Sequence, residues 1–357
     1  MSLIFEKFNA KQDLQKQRDL FVECFPENKG TSVESLDHYF WKFHSGPFNP
    51  HSFEYIARND EGEFMGYYAA LPYPYSINHD SASAGMVCDV MTGVKARGKG
   101  IFTKLGAYST DELSKKCIPF TTGYPIRKEV IPGHLKVGWK IVMDLPLYIK
   151  VLKVNNFSIF KRFKFLSPII NWILDLVYSV RFFSKEQYST RIISPEEIDS
   201  LPGYDDFFTT WKKSITNYLI KSKEFLKWRL GAPEKRYNLI AVYKNNTLCG
   251  FVITTKTIKE GISSLAILDI MVTNPKKHIL SYMHWQIEQL ARKENLEAIL
   301  VMASSKWASL YKFMRNGYLK SPFKFVLIIK KLTNHFTDNQ LFTPENWHLM
   351  WIDSDDL

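Results

Sequence analysis

Apolar and polar positions follow one ordered pattern through the first 150 residues. Residues 53–58 (FEYIAR) and 64–71 (FMGYYAAL) are apolar, aromatic-rich runs separated by the polar turn Asn59-Asp60-Glu61-Gly62. The pair predicts a β-hairpin. Gly66 lies inside the second run, where glycine marks a bend or a close backbone approach. Residues 87–92 (VCDVMT) predict another strand. Ile101, Phe102, Leu105 and Tyr108 then recur at helical spacing, with Asp111 and Glu112 further on. A strand over 117–122, a short helix over 131–137 ending at Gly138-Trp139, and an apolar strand over 141–149 complete this set.

The second half repeats the outline. A strand over 239–243, a polar turn at 244–247 and a strand over 248–254 with Gly250 near its start match the first hairpin. Residues 265–273 mirror 87–92, each with an Asp (Asp89, Asp269) before two apolar residues and a Thr soon after. A helix over 278–293, a strand over 298–303, a helix over 306–315 ending at Gly317-Tyr318, and a strand over 323–329 follow. Strands alternating with helices place the chain in the α/β class.

Chemistry concentrates between the 87–92 strand and the helix from 101. Arg97-Gly98-Lys99-Gly100 joins them. A helix N-terminus offers unpaired N–H groups and the positive end of the peptide dipoles. Glycine lets backbone approach a phosphate without a Cβ in the way. Arg97 and Lys99 add full positive charge, so the turn suits a pyrophosphate. Neither the Rossmann G-x-G-x-x-G nor the P-loop G-x-x-x-x-G-K-[ST] is present.

The turn resembles the pyrophosphate loop R/Q-x-x-G-x-G/A of the GNAT acetyltransferase superfamily. The resemblance covers roughly residues 3–150, and Gly138-Trp139 is similar to the Gly-aromatic turn after the last GNAT helix. It implies an α/β (α+β) fold of two tandem GNAT-like domains, each a mixed central sheet flanked by helices. The domains would be an acetyl-CoA-binding domain at 1–150, a basic and apolar linker at 151–189, a degenerate GNAT-like domain at 190–332, and a tail at 333–357. The second domain's equivalent loop, Asn274-Pro275-Lys276-Lys277-His278, has no glycine, and a good pyrophosphate cradle is not expected there.

The resemblance also implies site residues. Arg97, Gly98, Lys99, Gly100, Ile101, Phe102 and Thr103 would hold the pyrophosphate of acetyl-CoA, and the strand backbone at Val90, Met91 and Thr92 the pantetheine arm. Phe102 stands where the pattern carries a small residue. Asp89 is the candidate base for the attacking amine. His134 falls where many members carry an acidic Tyr, and Tyr124 is a second proton-donor candidate. Each has a structural alternative: Asp89 as a turn cap or cation partner, His134 as a helix start, Tyr124 as a packing ring. The activity implied is transfer of an acetyl group from acetyl-CoA to a primary amine of a small molecule, such as an amino sugar or a cell-envelope precursor. Two other readings stay open: an aminoacyl or peptidyl transferase of tandem-GNAT type, and a non-catalytic binding protein with a relict cofactor site.

Composition narrows the partners. Of 357 residues, 45% are hydrophobic, enough for sizeable cores. The net charge of +11 favours anionic partners in general, but no nucleic-acid-binding signature is present and no nucleic-acid partner is expected. Cys24, Cys88, Cys117 and Cys249 are widely spaced, without a C-x-x-C pair. No metal site is expected, and a reduced, cytoplasmic chain is the natural reading. Cys88 and Cys117 are expected to be buried in strands. The aromatic and basic stretches 39–44 (YFWKFH) and 221–230 (KSKEFLKWRL) are either acceptor contacts or core. Residues 161–185 form an apolar run with basic flanks. Three readings fit: a buried inter-domain helix, a peripheral membrane contact, or a membrane span, the last opposed by Asp175 in mid-run.

Overall fold

The computed structural model describes residues 2–156, 167–179 and 188–355. In chain order the first half forms β1 (Leu3–Lys7), α1 (Ala10–Cys24), α2 (Leu36–His44), β2 (Phe53–Asn59), β3 (Phe64–Ile77), β4 (Asp80–Thr92), α3 (Ile101–Lys115), β5 (Phe120–Gly123), α4 (Ile131–Lys136) and β6 (Lys140–Val151). Then come α5 (Ser167–Ser179), β7 (Ser189–Ile193), α6 (Tyr204–Lys212), β8 (Asn217–Leu219) and α7 (Lys223–Arg229). The second half adds β9 (Tyr237–Lys244), β10 (Thr247–Lys259), β11 (Ile262–Val272), α8 (Lys277–Lys293), β12 (Ala298–Met302), α9 (Ser305–Leu310), β13 (Leu319–Lys331) and α10 (Asp338–Phe342). The α/β class, with mixed sheets and flanking helices, is borne out.

The chain divides into two compact units that are not consecutive in sequence. The first comprises residues 1–143, 216–234 and 326–347; the second comprises 144–215, 235–325 and 348–357. In the first unit β1, β2, β3 and β4 pair antiparallel in order, and β5 joins parallel to β4. The sixth strand is the end of β13, where Ile328 pairs with Gly123 of β5. Helix α3 lays Ile101, Leu105 and Leu113 on the sheet face carrying Tyr55, Ala57, Tyr68 and Val87, all buried. Gly66 permits this approach: a Cβ there would lie 3.1 Å from the Met91 carbonyl oxygen and 3.3 Å from Ile101.

The second unit has the same strand plan. β7, β9, β10 and β11 pair antiparallel in order, and β12 joins parallel to β11. The sixth strand is the end of β6, where Ile149 pairs with Leu300. Gly250 stands where Gly66 does: a Cβ there would meet the Met283 sulfur of α8 at 2.6 Å.

These limits differ from boundaries drawn along the chain at 150, 190 and 332. A run such as 141–149 announces a strand, but not the sheet that will accept it, because pairing depends on residues far away in sequence. For the same reason 333–357 does not read as a tail: Leu341 and Trp347 are fully buried parts of the first unit, and Leu349, Met350 and Ile352 of the second. Cys88 is buried as expected, but Cys117 is exposed. It sits at φ +60° in the turn closing α3, where Cys117 N–H donates to Ser114 and Ile118 N–H to Leu113, and β5 starts only at Phe120.

Of residues 161–185, only 167–179 lie within the described structure, as α5. The apolar side chains of Ile169, Trp172, Ile173 and Leu176 are exposed, which contradicts the buried-helix reading for this part. Among the described residues no helix is long and apolar enough to cross a membrane.

Candidate active site

The glycine turn of the first unit follows an irregular strand end. Across β3 and β4, Ala69 faces Cys88 and Tyr67 faces Met91, so Asp89 and Val90 together oppose Tyr68. This is a β-bulge, and Asp89 takes a left-handed conformation at φ +47°. Pairing resumes at Met91 and Thr92, opposite Tyr67 and Gly66. The bulge turns the Asp89 carboxylate out of the ladder's alternation.

Beyond Thr92 the chain reaches Gly98 and Gly100, at φ +78° and +75°. A Cβ on Gly98 would meet nothing within 4 Å. Glycine is therefore needed there for its backbone angle rather than for space. Gly100 precedes α3 and has no side chain to cap it. Arg97, Gly98, Lys99 and Gly100 are exposed, and Arg97 Nε donates to the Thr92 carbonyl at 3.5 Å. The Thr103 hydroxyl donates back to the Gly100 carbonyl at 2.9 Å, and no side chain caps the first helical N–H groups. Two fixed positive charges and an uncapped helix N-terminus make this an anion-binding geometry.

Phe102, the departure from the family pattern, has its own accommodation. A Cβ on Gly133 would lie 2.6 Å from the Phe102 ring, so the ring lies directly over that glycine in α4. Its centroid is 5.0 Å from that of His134, edge-on, and His134 meets Trp139 the same way at 5.1 Å. Burial pushes the His134 imidazole down to about 4. It is neutral at physiological pH, wedged between two rings. The structure thus joins Phe102 and His134, and separately joins Asp89 to a polar cluster. Tyr124 is buried just beyond the end of β5.

That polar cluster was only partly legible. Lys42 Nζ lies 2.9 Å from Asp89 Oδ1, with both side chains about nine-tenths buried. Deeper in, Glu54 of β2 accepts from the Tyr39 hydroxyl at 2.8 Å and from the Tyr67 hydroxyl at 2.5 Å. Ser52 donates to its other oxygen at 2.7 Å. Burial first, then the Glu54 charge, holds both tyrosines above the usual phenol range, so both remain hydrogen-bond donors. His44 Nε2 lies 3.2 Å from the Tyr39 hydroxyl, and the Arg18 guanidinium stacks 5.3 Å from the Tyr39 ring centroid. Glu54 and Tyr67 escaped the sequence reading. Their only signal was a carboxylate inside an otherwise apolar strand run.

The two aromatic stretches prove to be partners in packing. The Trp41 indole N–H donates to the Trp228 carbonyl at 2.7 Å, and the Trp228 indole N–H returns the bond to Trp41 at 3.0 Å. Their rings stack at 5.7 Å, fastening α2 to α7. Trp228 is thus core and the half-buried Trp41 packs on it, whereas Lys42 and His44 on the same helix as Trp41 belong to the polar cluster.

The second unit keeps the bulge but not the cradle. Ile253 faces Asp269 and Thr254 faces Ile267, leaving Leu268 unpaired in β11. Asp269 is fully buried. No residue of 274–278 has positive φ, and α8 starts after Lys276 without a side-chain cap.

Comparison with known proteins agrees with this picture. Residues 7–142 match the family profile described as an acetyltransferase (GNAT) domain. No curated protein matches the chain. Among solved structures, a GCN5-related N-acetyltransferase from Anabaena variabilis is 11% identical, with 93% of this chain and 74% of that one covered at a TM-score of 0.65. A probable N-acyltransferase from Enterococcus faecalis is 12% identical over 93% and 73%, at 0.62. The N-myristoyltransferase of Saccharomyces cerevisiae, solved with bound myristoyl-CoA and inhibitors, is 12% identical over 92% and 80%, also at 0.62. At such identities these structures establish a common fold. The stretch that matches the GNAT acetyltransferase domain profile, residues 7–142, contains both the bulged fourth strand and the left-handed glycine turn.

Proposed function

We propose that the chain is an N-acyltransferase moving an acetyl group from acetyl-CoA to a primary amine of a small molecule, with an amino sugar or a cell-envelope precursor as the acceptor class. The observation that carries this reading is the pair of left-handed glycines, Gly98 and Gly100, at the uncapped start of α3, directly after the bulged β4. A tandem arrangement goes with it: the second unit repeats the strand plan and lacks the glycine turn, as a GNAT-like domain without a cofactor cradle would.

In this reading Arg97, Lys99 and the N–H groups of residues 98–103 bind the pyrophosphate, and the backbone of Val90, Met91 and Thr92 guides the pantetheine arm. The co-substrate supplies a thioester carbonyl open to attack by an amine. Asp89, turned out by the bulge, takes the proton that the amine must lose. The Lys42 ammonium beside it fixes the orientation of the carboxylate. His134, kept neutral by burial, is a poor acid and serves mainly to seat Phe102. A phenol gives a proton to a thiolate more readily than a neutral imidazole does, which favours Tyr124 as the donor. The free thiols Cys24, Cys88, Cys117 and Cys249 suit a reduced, cytoplasmic setting.

The test is calorimetric titration with acetyl-CoA and with longer acyl-CoAs, followed by an amine screen that reads CoA release. Chain length belongs in the assay because one structural neighbour was solved with bound myristoyl-CoA. Micromolar acetyl-CoA binding with amine-dependent CoA release supports the proposal. Tighter binding of a long-chain acyl-CoA would replace the acetyl group by that chain. No binding of any CoA would bring forward aminoacyl or peptidyl transfer, or a relict site.

A further inference from the structure

Helix α5 is amphipathic in the inverted sense. At about 100° per residue, Ile169, Trp172, Ile173 and Leu176 share one stripe, and Asn171 and Asp175 lie on the opposite side. The polar side is bound within its own unit. Asn171 Oδ1 accepts from the Val154 N–H, and Asn171 Nδ2 donates to Asn155 Oδ1, both at 2.9 Å. Asp175 is ion-paired with Arg292 of α8. The apolar side faces water: Trp172 is 65% exposed and Ile169 57%. A surface helix ordinarily does the reverse, and clustered exposed apolar side chains mark an interaction surface.

Charge selects the occupant. The sequence places Lys161, Arg162 and Lys164 before the helix and Arg181 and Lys185 after it. The one acid on the helix, Asp175, is taken by Arg292. A second copy of the chain would bring the same cations against themselves. An anionic lipid surface instead accepts both the cations, at its headgroups, and the Trp-bearing apolar stripe, at the acyl boundary. Asp175 near the middle of the apolar run would be costly inside a bilayer, so the helix lies on a membrane rather than through it. We propose that α5 docks the protein on anionic membrane surfaces, with Ile169, Trp172, Ile173 and Leu176 as the inserted side chains.

The test is flotation of the full chain with vesicles of phosphatidylglycerol and phosphatidylcholine in equal parts, and with phosphatidylcholine alone. The variants are Trp172→Glu with Ile173→Glu, and Ile169→Ser with Leu176→Ser. These positions are exposed, so thermal unfolding of the variants should match the parent. The parent is expected to float with the mixed vesicles only, and the Glu variant to bind about a hundredfold more weakly. Flotation of the Glu variant with the parent, equal flotation on the two vesicle types, or no flotation of the parent would overturn the proposal. Self-association in sedimentation that the Glu variant abolishes would also overturn it, by giving the face to a second copy.

Discussion

Replacing Gly100 separates the charge of the proposed phosphate site from its shape. Gly100→Asn and Gly100→Asp add side chains of the same size. A Cβ there would lie 3.9 Å from Thr103 Oγ1 and 4.0 Å from Lys104, ordinary contacts that require no shift. The φ of +75° is left-handed, which Asn and Asp both tolerate at a cost of about 1 kcal/mol. Folding should therefore survive equally in the two variants. Binding should not. A carboxylate about 5 Å from a diphosphate of roughly two negative charges, at an effective dielectric of about 40, is repelled by about 3 kcal/mol. Salt at this exposed loop reduces that to about 2 kcal/mol, or about 30-fold in Kd. Calorimetry with CoA should thus place Gly100→Asn within about tenfold of the parent and Gly100→Asp about 30-fold below Gly100→Asn, the gap shrinking at high salt. Equal affinity of the parent, Asn and Asp forms would refute the reasoning, because no anion would then sit at the start of α3.

Asp89→Asn keeps the bulge, since Asn also accepts left-handed φ, but removes the proposed base. The transfer rate should fall about a hundredfold or more with CoA affinity unchanged, and an undiminished rate would return Asp89 to a purely structural role with Lys42. His134→Phe tests the buried imidazole through stability. The folded group titrates at about 4 and the unfolded one near 6.5, so the unfolded chain binds more protons between those values. The contribution is present above pH 6.5 and is lost as the pH falls towards 4, by about 3 kcal/mol. Urea unfolding should show the parent losing that much more stability than His134→Phe over this window, and parallel pH profiles would contradict it. Gly250→Ala drives a methyl into Met283 and should destabilise the protein by about 1–3 kcal/mol. Met283→Ala in the same chain should recover part of that loss, and a Gly250→Ala protein as stable as the parent would show that α8 does not press on β10.

Much of the local structure was legible because it is local. The 53–71 hairpin, the helix from 101 and the helix at 277–293 follow from periodicity and turn residues. Gly66 was recognisable as a bend or a close approach and Gly250 as its counterpart in the repeat, although which helix approaches them was not. At the site the basic glycine turn at Gly98 and Gly100 was readable from the sequence, whereas its left-handed backbone came only from the structure. The Lys42–Asp89 pair and the Glu54–Tyr39–Tyr67 cluster were not, because each joins residues from different elements whose alignment depends on sheet register. Cys117 misled for a simple reason: an apolar residue beside Ile118 looks like strand, and only the left-handed close of α3 removes it from the sheet.

The sequence by itself determined the elements, the repeat of the strand plan and the anion-seeking turn, since these depend on side-chain periodicity, glycine's backbone freedom and fixed charge within a few residues. The tertiary structure alone decided three other things. The sixth strand of each unit comes from the other half of the chain. Residues 347–354 are buried core rather than tail, with Phe336 and Leu341 buried ahead of them. The apolar stripe of α5 faces outward because Asn171 and Asp175 find their partners on the inner side. Each of these is a choice among distant partners, settled by hydrogen-bond pairing and burial across the fold, which no local pattern in the chain encodes.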